Sequence, residues 1–187
     1  MASYWLKRQQ AGKGLILPRK IFVAVACALS RSEISVLSDG SPWRPLIDVA
    51  DMARAIDWAI QRRPEQGGRF LIVNTGSNDR NYQVRDLART VAEAVPRTTV
   101  KINSKAPVDS RSYRVDFSLF QSLAPQHLPK ITLPQSIEQL LAGLRDMDFK
   151  DGEFRESKYM RLHVLRSHIR EQRLSDNLEW ISTRCFS

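Results

Sequence analysis

The tract Gly67-Gly68-Arg69-Phe70-Leu71-Ile72-Val73-Asn74-Thr75-Gly76 constrains the fold more than any other part of the chain. Four successive large apolar residues leave no polar face for water. Bounded by glycines, such a run reads as a strand covered on both faces in a parallel sheet. Downstream, Val84, Leu87, Ala88, Val91, Ala92 and Val95 repeat at helical spacing up to Pro96, with Asn81 placed to cap the helix. A doubly covered strand followed by an amphipathic helix predicts an α/β fold.

The remaining segments fit that class. Phe22, Val25, Ala26 and Leu29 lie on one helical face, and Ile34, Val36 and Leu37 read as a short strand before the Ser38-Asp39-Gly40 turn. Residues 44–49 look extended around Pro45. Met52, Ile56, Ala59 and Ile60 predict a helix over 49–62, with Asp48 as its cap and Asp51 in its first turn. Residues 98–102 alternate as a strand. Asp116 is placed to cap a short helix carrying Phe117, Phe120 and Leu123. Ile137, Leu140, Leu141, Leu144 and Met147 mark another helix with Pro134 in its first turn. Tyr159, Leu162, Leu165 and Ile169 give the basic tail a helical face suited to packing on the body. The expected division is a poorly ordered leader over 1–24, an α/β domain over 25–149 and a basic helical tail over 150–187.

Charge narrows the partners. There are 29 Lys+Arg against 20 Asp+Glu, a formal net charge of +9 that favours anionic ligands. The basic residues are scattered, without the aromatic-interleaved run that stacks bases, so nucleic acid is not the expected partner. Cys27 and Cys185 stand far apart and show no metal-ligand or disulfide pattern. The apolar run from Ile21 to Leu29 falls well short of the ~20 residues a membrane span requires. No membrane association and a cytoplasmic location are expected.

Three segments resemble the C-terminal half of the NAD-dependent epimerase/dehydratase family, the extended short-chain dehydrogenase/reductases that modify nucleotide sugars. They are the stretch from Ser38-Asp39-Gly40 through Trp43-Arg44-Pro45 and Asp48-Val49-Ala50-Asp51 to Ala53, then Asn81-Tyr82-Gln83-Val84-Arg85-Asp86-Leu87-Ala88, and Asp109-Ser110-Arg111-Ser112-Tyr113-Arg114-Val115-Asp116. Leu178-Glu179-Trp180 is also similar, and the resemblance runs from about residue 25 to 180. It implies the substrate-binding part of such an enzyme, with an incomplete Rossmann sheet.

Two family features find no counterpart. The family's first βα turn is glycine-rich so that backbone can approach a pyrophosphate at a helix N-terminus. Here Gly12-Lys13-Gly14 and Gly67-Gly68 lack that spacing. The family also pairs a catalytic Tyr with a Lys four residues later. Tyr4, Tyr82, Tyr113 and Tyr159 are followed at that offset by Arg8, Asp86, Phe117 and His163. The complete family uses NAD, whereas this chain alone is expected to bind no cofactor and no metal, and to be inactive in hydride transfer.

The resemblance assigns Arg44 and Arg111 to the phosphates of a UDP-, dTDP- or GDP-linked sugar nucleotide, and Asp109 to a nearby ribose or positioning contact. A fixed guanidinium suits a diphosphate because it forms charge-assisted, forked bonds. Competing readings are a surface Arg44 paired with Asp48 or Asp51, Arg111 in an ordinary polar loop, and Arg114 in place of Arg111. His127, His163 and His168 have no metal or triad spacing. The leading expectation is a truncated epimerase/dehydratase that retains the nucleotide-binding side. The alternatives are a non-catalytic subunit completing a separate cofactor-binding chain, or a basic nucleic-acid-binding or interaction protein; the expected protein partner is such a chain or a second copy in a homodimer.

Overall fold

The computed structural model describes residues 19–107 and 112–181. The chain divides into two compact units, residues 1–150 and 151–187.

In the first unit the elements are α1 (Arg19–Arg31), β1 (Glu33–Val36), β2 (Trp43–Pro45), α2 (Val49–Gln61), β3 (Asn81–Gln83), α3 (Val84–Ala94), β4 (Thr99–Ile102), α4 (Ser118–Leu123) and α5 (Leu133–Asp146). Helix α1 starts at Arg19, so the end of the expected leader is helical, and Ile21 is buried. Residues 1–18 of that leader lie outside the described residues.

Helices α1, α3 and α5 touch one another pairwise. Their apolar stripes bury Ile21, Val25, Leu87, Val91, Ile137, Leu140 and Leu144. Helix α5 starts from a capping box: the Thr132 hydroxyl accepts from the Gln135 amide, and the Gln135 side chain accepts from the Thr132 amide, with a proline in the first turn. Beside the helices, β1 and β4 pair in parallel with Ile34 opposite Val100. The architecture is mixed α/β with a small parallel sheet, as the segment pattern predicts.

A second cluster sits between α2 and α4. Trp58 and Phe120 meet edge to face at 5.4 Å, flanked by Ala55 and Ala124, and Leu71, Val73, Leu123 and Leu128 pack around them. Gly76 is needed here because a Cβ at that position would fall 2.5 Å from the Phe117 ring.

The strand expected at Phe70–Val73 does not form. Leu71 and Val73 turn into the cluster, while Phe70 and Ile72 are 82% and 80% exposed. Among the described residues no hydrogen bond reaches the backbone of residues 70–75, although Arg62 ties down the carbonyls of Gly68 and Arg69 just upstream. The side chains alternate as in a strand, but a strand also needs a neighbour to take its N–H and C=O groups. No described strand runs alongside.

In the second unit, α6 (Arg161–Arg170) begins after Tyr159, so the tail helix is shorter than expected. Leu174 and Trp180 form an isolated antiparallel bridge, and the His168 ring meets that of Trp180 at a tilt of 56°, centres 5.4 Å apart.

Asp48 caps α2 as expected, its carboxylate accepting from the Ala50 amide at 2.9 Å and from the Ser136 hydroxyl of α5 at 2.6 Å. Asp51, 1% exposed, does more than its first-turn position suggests. Its oxygens accept from the Arg54 guanidinium at 2.7 Å and from the backbone amides of Lys130 and Ile131 at 2.9–3.0 Å. This one side chain therefore ties α2 to the entry of α5.

Asp51→Ala leaves both amides without their acceptor and Arg54 with the Gln126 carbonyl alone, and is expected to cost about 3 kcal/mol, lowering Tm by roughly 10 °C in a thermal melt. A shift below ~2 °C would show that Asp51 holds nothing. Gly76→Ala forces the Phe117 ring aside and is expected to cost about 1–3 kcal/mol in a denaturant titration.

Candidate functional site

The candidate surface is built on the β2–β3 ribbon. The strands run antiparallel with Trp43 opposite Gln83, Arg44 opposite Tyr82 and Pro45 opposite Asn81. Upstream, the Ser38-Asp39-Gly40 turn forms as read. Asp39 accepts from the Ser41 amide and hydroxyl, bonds that hold its carboxyl below the usual aspartate range. Gly40 has φ +78°, and a Cβ there would meet the Arg85 Cβ at 2.7 Å. The carbonyls of Gly40 and Pro42 then accept the first amides of α3, from Arg85 and Val84, at 3.0 Å each.

Those carbonyls correct one expectation. Asn81 does not cap α3, whose N-cap residue is Gln83. Instead, the Asn81 carboxamide binds the backbone of Val115 at both ends, accepting its N–H at 2.9 Å and donating to its carbonyl at 3.0 Å. Asn78 continues the clamp by accepting the Phe117 amide at 2.8 Å and reaching Asp116 and Ser118 at 3.3 Å. Asp116 accepts from the Ser118 hydroxyl at 2.6 Å and amide at 2.9 Å, one residue ahead of the Phe117 N-cap of α4. The Ser118 bonds, then that of Asn78, depress the Asp116 pKa. The contribution of the ionised Asp116 carboxylate is therefore complete at neutral pH and is lost as pH falls from the ordinary aspartate range through the lowered value, while the carboxamide bonds to Val115 and Phe117 do not titrate.

Clamped in this way, residues 112–115 lie along the free side of β2. The Trp43 amide donates to the Ser112 hydroxyl at 3.0 Å, and the Tyr113 amide reaches the Trp43 carbonyl at 3.5 Å. The Arg44 guanidinium stands 5.7 Å from the centre of the Tyr113 ring, and Arg114 lies 4.8 Å above the Trp43 ring. Arg44 also donates to the Trp43 carbonyl at 2.6 Å. Tyr113 is 54% exposed and Arg114 is exposed. Each segment thus lends one cation and one ring: Arg44 pairs with Tyr113 and Arg114 with Trp43, with Trp43 and Arg44 half-buried. Such an arrangement can hold an anion with its cations and a flat ring with its aromatics.

Arg44 lies beside the 112–115 segment, against the Tyr113 ring. Asp48 and Asp51, its alternative partners, serve Ala50, Ser136, Arg54, Lys130 and Ile131. Asp109 and Arg111 lie outside the described residues. The sequence reading missed Asn78 and Asn81 as positioning residues, since both act on a segment more than 30 residues away. Below the ribbon, a hollow lined by Leu46, Asp48, Arg80, Tyr82, Ile131 and Ser136 measures about 20 Å³. That is room for one water and far too little for a nucleotide. Arg80 Nε, buried there, has no hydrogen-bond partner. Among the described residues, no helix is long and apolar enough to cross a membrane.

No curated protein matches the chain. A family model does, and its match begins upstream of Val25, where the sequence resemblance fades. Residues 10–76, the stretch that carries Trp43, Arg44, Asp48 and Asp51, match the NAD dependent epimerase/dehydratase family, and over that stretch the chain is related to part of this family.

Proposed function

We propose that the Trp43–Arg44 and Tyr113–Arg114 surface binds the nucleotide diphosphate of a UDP-, dTDP- or GDP-linked sugar nucleotide, together with Arg111 and Asp109. One observation carries this reading. The β2–β3 register and the asparagine clamp bring Arg44 and Arg114 onto neighbouring aromatic rings, joining two segments that resemble the family's nucleotide-contacting ones. The guanidiniums meet the phosphates, and an exposed aromatic face such as that of Tyr113 suits a base or sugar ring.

In this reading the chain is a truncated epimerase/dehydratase and supplies recognition alone. The absence of a Tyr-x-x-x-Lys pair and of a correctly spaced glycine-rich turn supports it. The family's chemistry, NAD-dependent oxidation of a sugar hydroxyl to a keto intermediate, would be completed by a cofactor-binding body. The chain by itself takes up no NAD.

Calorimetric titration with UDP-, dTDP- and GDP-sugars at two salt concentrations tests the reading, with single-stranded DNA as the control. At least one sugar nucleotide is expected to bind. Arg44→Ala should weaken that binding about tenfold, or ~1.4 kcal/mol, and Arg44→Lys should recover only part of it. Binding of DNA alone, falling steeply with salt, would replace this reading with that of a basic nucleic-acid-binding protein. A second prediction separates positioning from contact. Asn81→Ala frees the Val115 backbone and should lower affinity about as much as Arg44→Ala, while also broadening the NMR signals of residues 112–116.

A further inference from the structure

Helix α2 is apolar on two sides. One side, Ala55 and Trp58 beside Asp51, is buried in the fold. The stripe that marks the helix in the sequence is the other: Met52, Ile56 and Ile60 are 39%, 55% and 79% exposed, and Ala53 and Ala59 next to them are exposed as well. At 3.6 residues per turn these side chains fill an arc of about 120°. A helix that is apolar all round is a buried helix, so the outer face calls for a cover.

We propose that the cover is a second copy of this chain, α2 packing antiparallel on α2 about a twofold axis at Ile56. Two observations choose that occupant. The first is the spacing, because a twofold contact needs a surface complementary to itself. Set antiparallel about Ile56, the helices place Met52 of each copy over Ala59 of the other and Ala53 over Ile60, with Ile56 meeting Ile56. Each large side chain away from the axis thus lands on a small one. The second is charge. The chain has a formal net charge of +9, yet Asp57 is the one charged residue among the exposed positions of α2. Arg54 is held by Asp51 and the Gln126 carbonyl. A nucleic acid or an acidic protein finds no cation to grip on this helix, whereas two like-charged copies can meet where their positive charge is thinnest. Two helices of 13 residues make a small interface, so the dimer is expected to be weak, with a Kd on the order of 10 µM.

Sedimentation equilibrium of the full chain without sugar nucleotide tests this independently of the diphosphate-binding proposal. A monomer–dimer equilibrium is expected, and raising NaCl from ~50 to ~500 mM should tighten it about threefold or more, because salt screens the repulsion between like charges. Ile56→Asp should leave a monomer at every concentration, with sugar-nucleotide affinity unchanged. Oxidative cross-linking in a chain with Cys27→Ser and Cys185→Ser tests the register. Ile56→Cys should cross-link to itself, as should Met52→Cys combined with Ala59→Cys. Met52→Cys alone should not, since its two copies would stand about 12 Å apart along the helix pair. A chain that stays monomeric without substitution, a dimer that Ile56→Asp leaves intact, or cross-linking of Met52→Cys alone overturns the inference.

Discussion

Two side-chain carboxamides hold the site together. Asn81 binds Val115 through both N–H and C=O, and Asn78 binds Phe117, so side chains do for residues 115–117 what a neighbouring strand would otherwise do. The rest follows from that anchorage. It sets the height at which Ser112 and Tyr113 meet Trp43, and hence which rings carry Arg44 and Arg114. A carboxamide suits this task because it offers donor and acceptor in one plane, matching the paired groups of an extended backbone.

The anchorage in turn needs a fixed floor, and buried carboxylates provide it. Asp48 and Asp51 both leave α2, one toward the Ser136 hydroxyl and the other toward the amides of Lys130 and Ile131. Loss of a buried acceptor is expensive because the donors it leaves cannot turn to water. The fold therefore spends its two best-buried acids on joining α2 to α5. The basic excess remains at the surface, where it is available for an anion.

Much of the fold was legible because the deciding interactions are local. The α3 stripe, the Asp48 cap, the Asp39–Ser41 turn and the start of α5 each depend on residues within about one helical turn. Asn81 was misread because its neighbours looked like a helix start, whereas its partner, Val115, is 34 residues away. The run at 70–73 shows a different limit. Its side chains specify a strand, but strand pairing is a property of two segments, and none of the described ones adjoins it. Of the site, Arg44 was readable through family resemblance, while its setting among Tyr113, Arg114 and Trp43 required tertiary structure.

The proposed function requires the 43–44 and 112–115 segments to act as one anion-binding surface. Mapping backbone amide shifts by NMR during titration with a UDP-, dTDP- or GDP-sugar tests it most directly. Arg44, Ser112, Tyr113 and Arg114 are expected to shift together along one saturating curve. Shifts confined to the basic face of residues 155–173, with the ribbon silent, would contradict it.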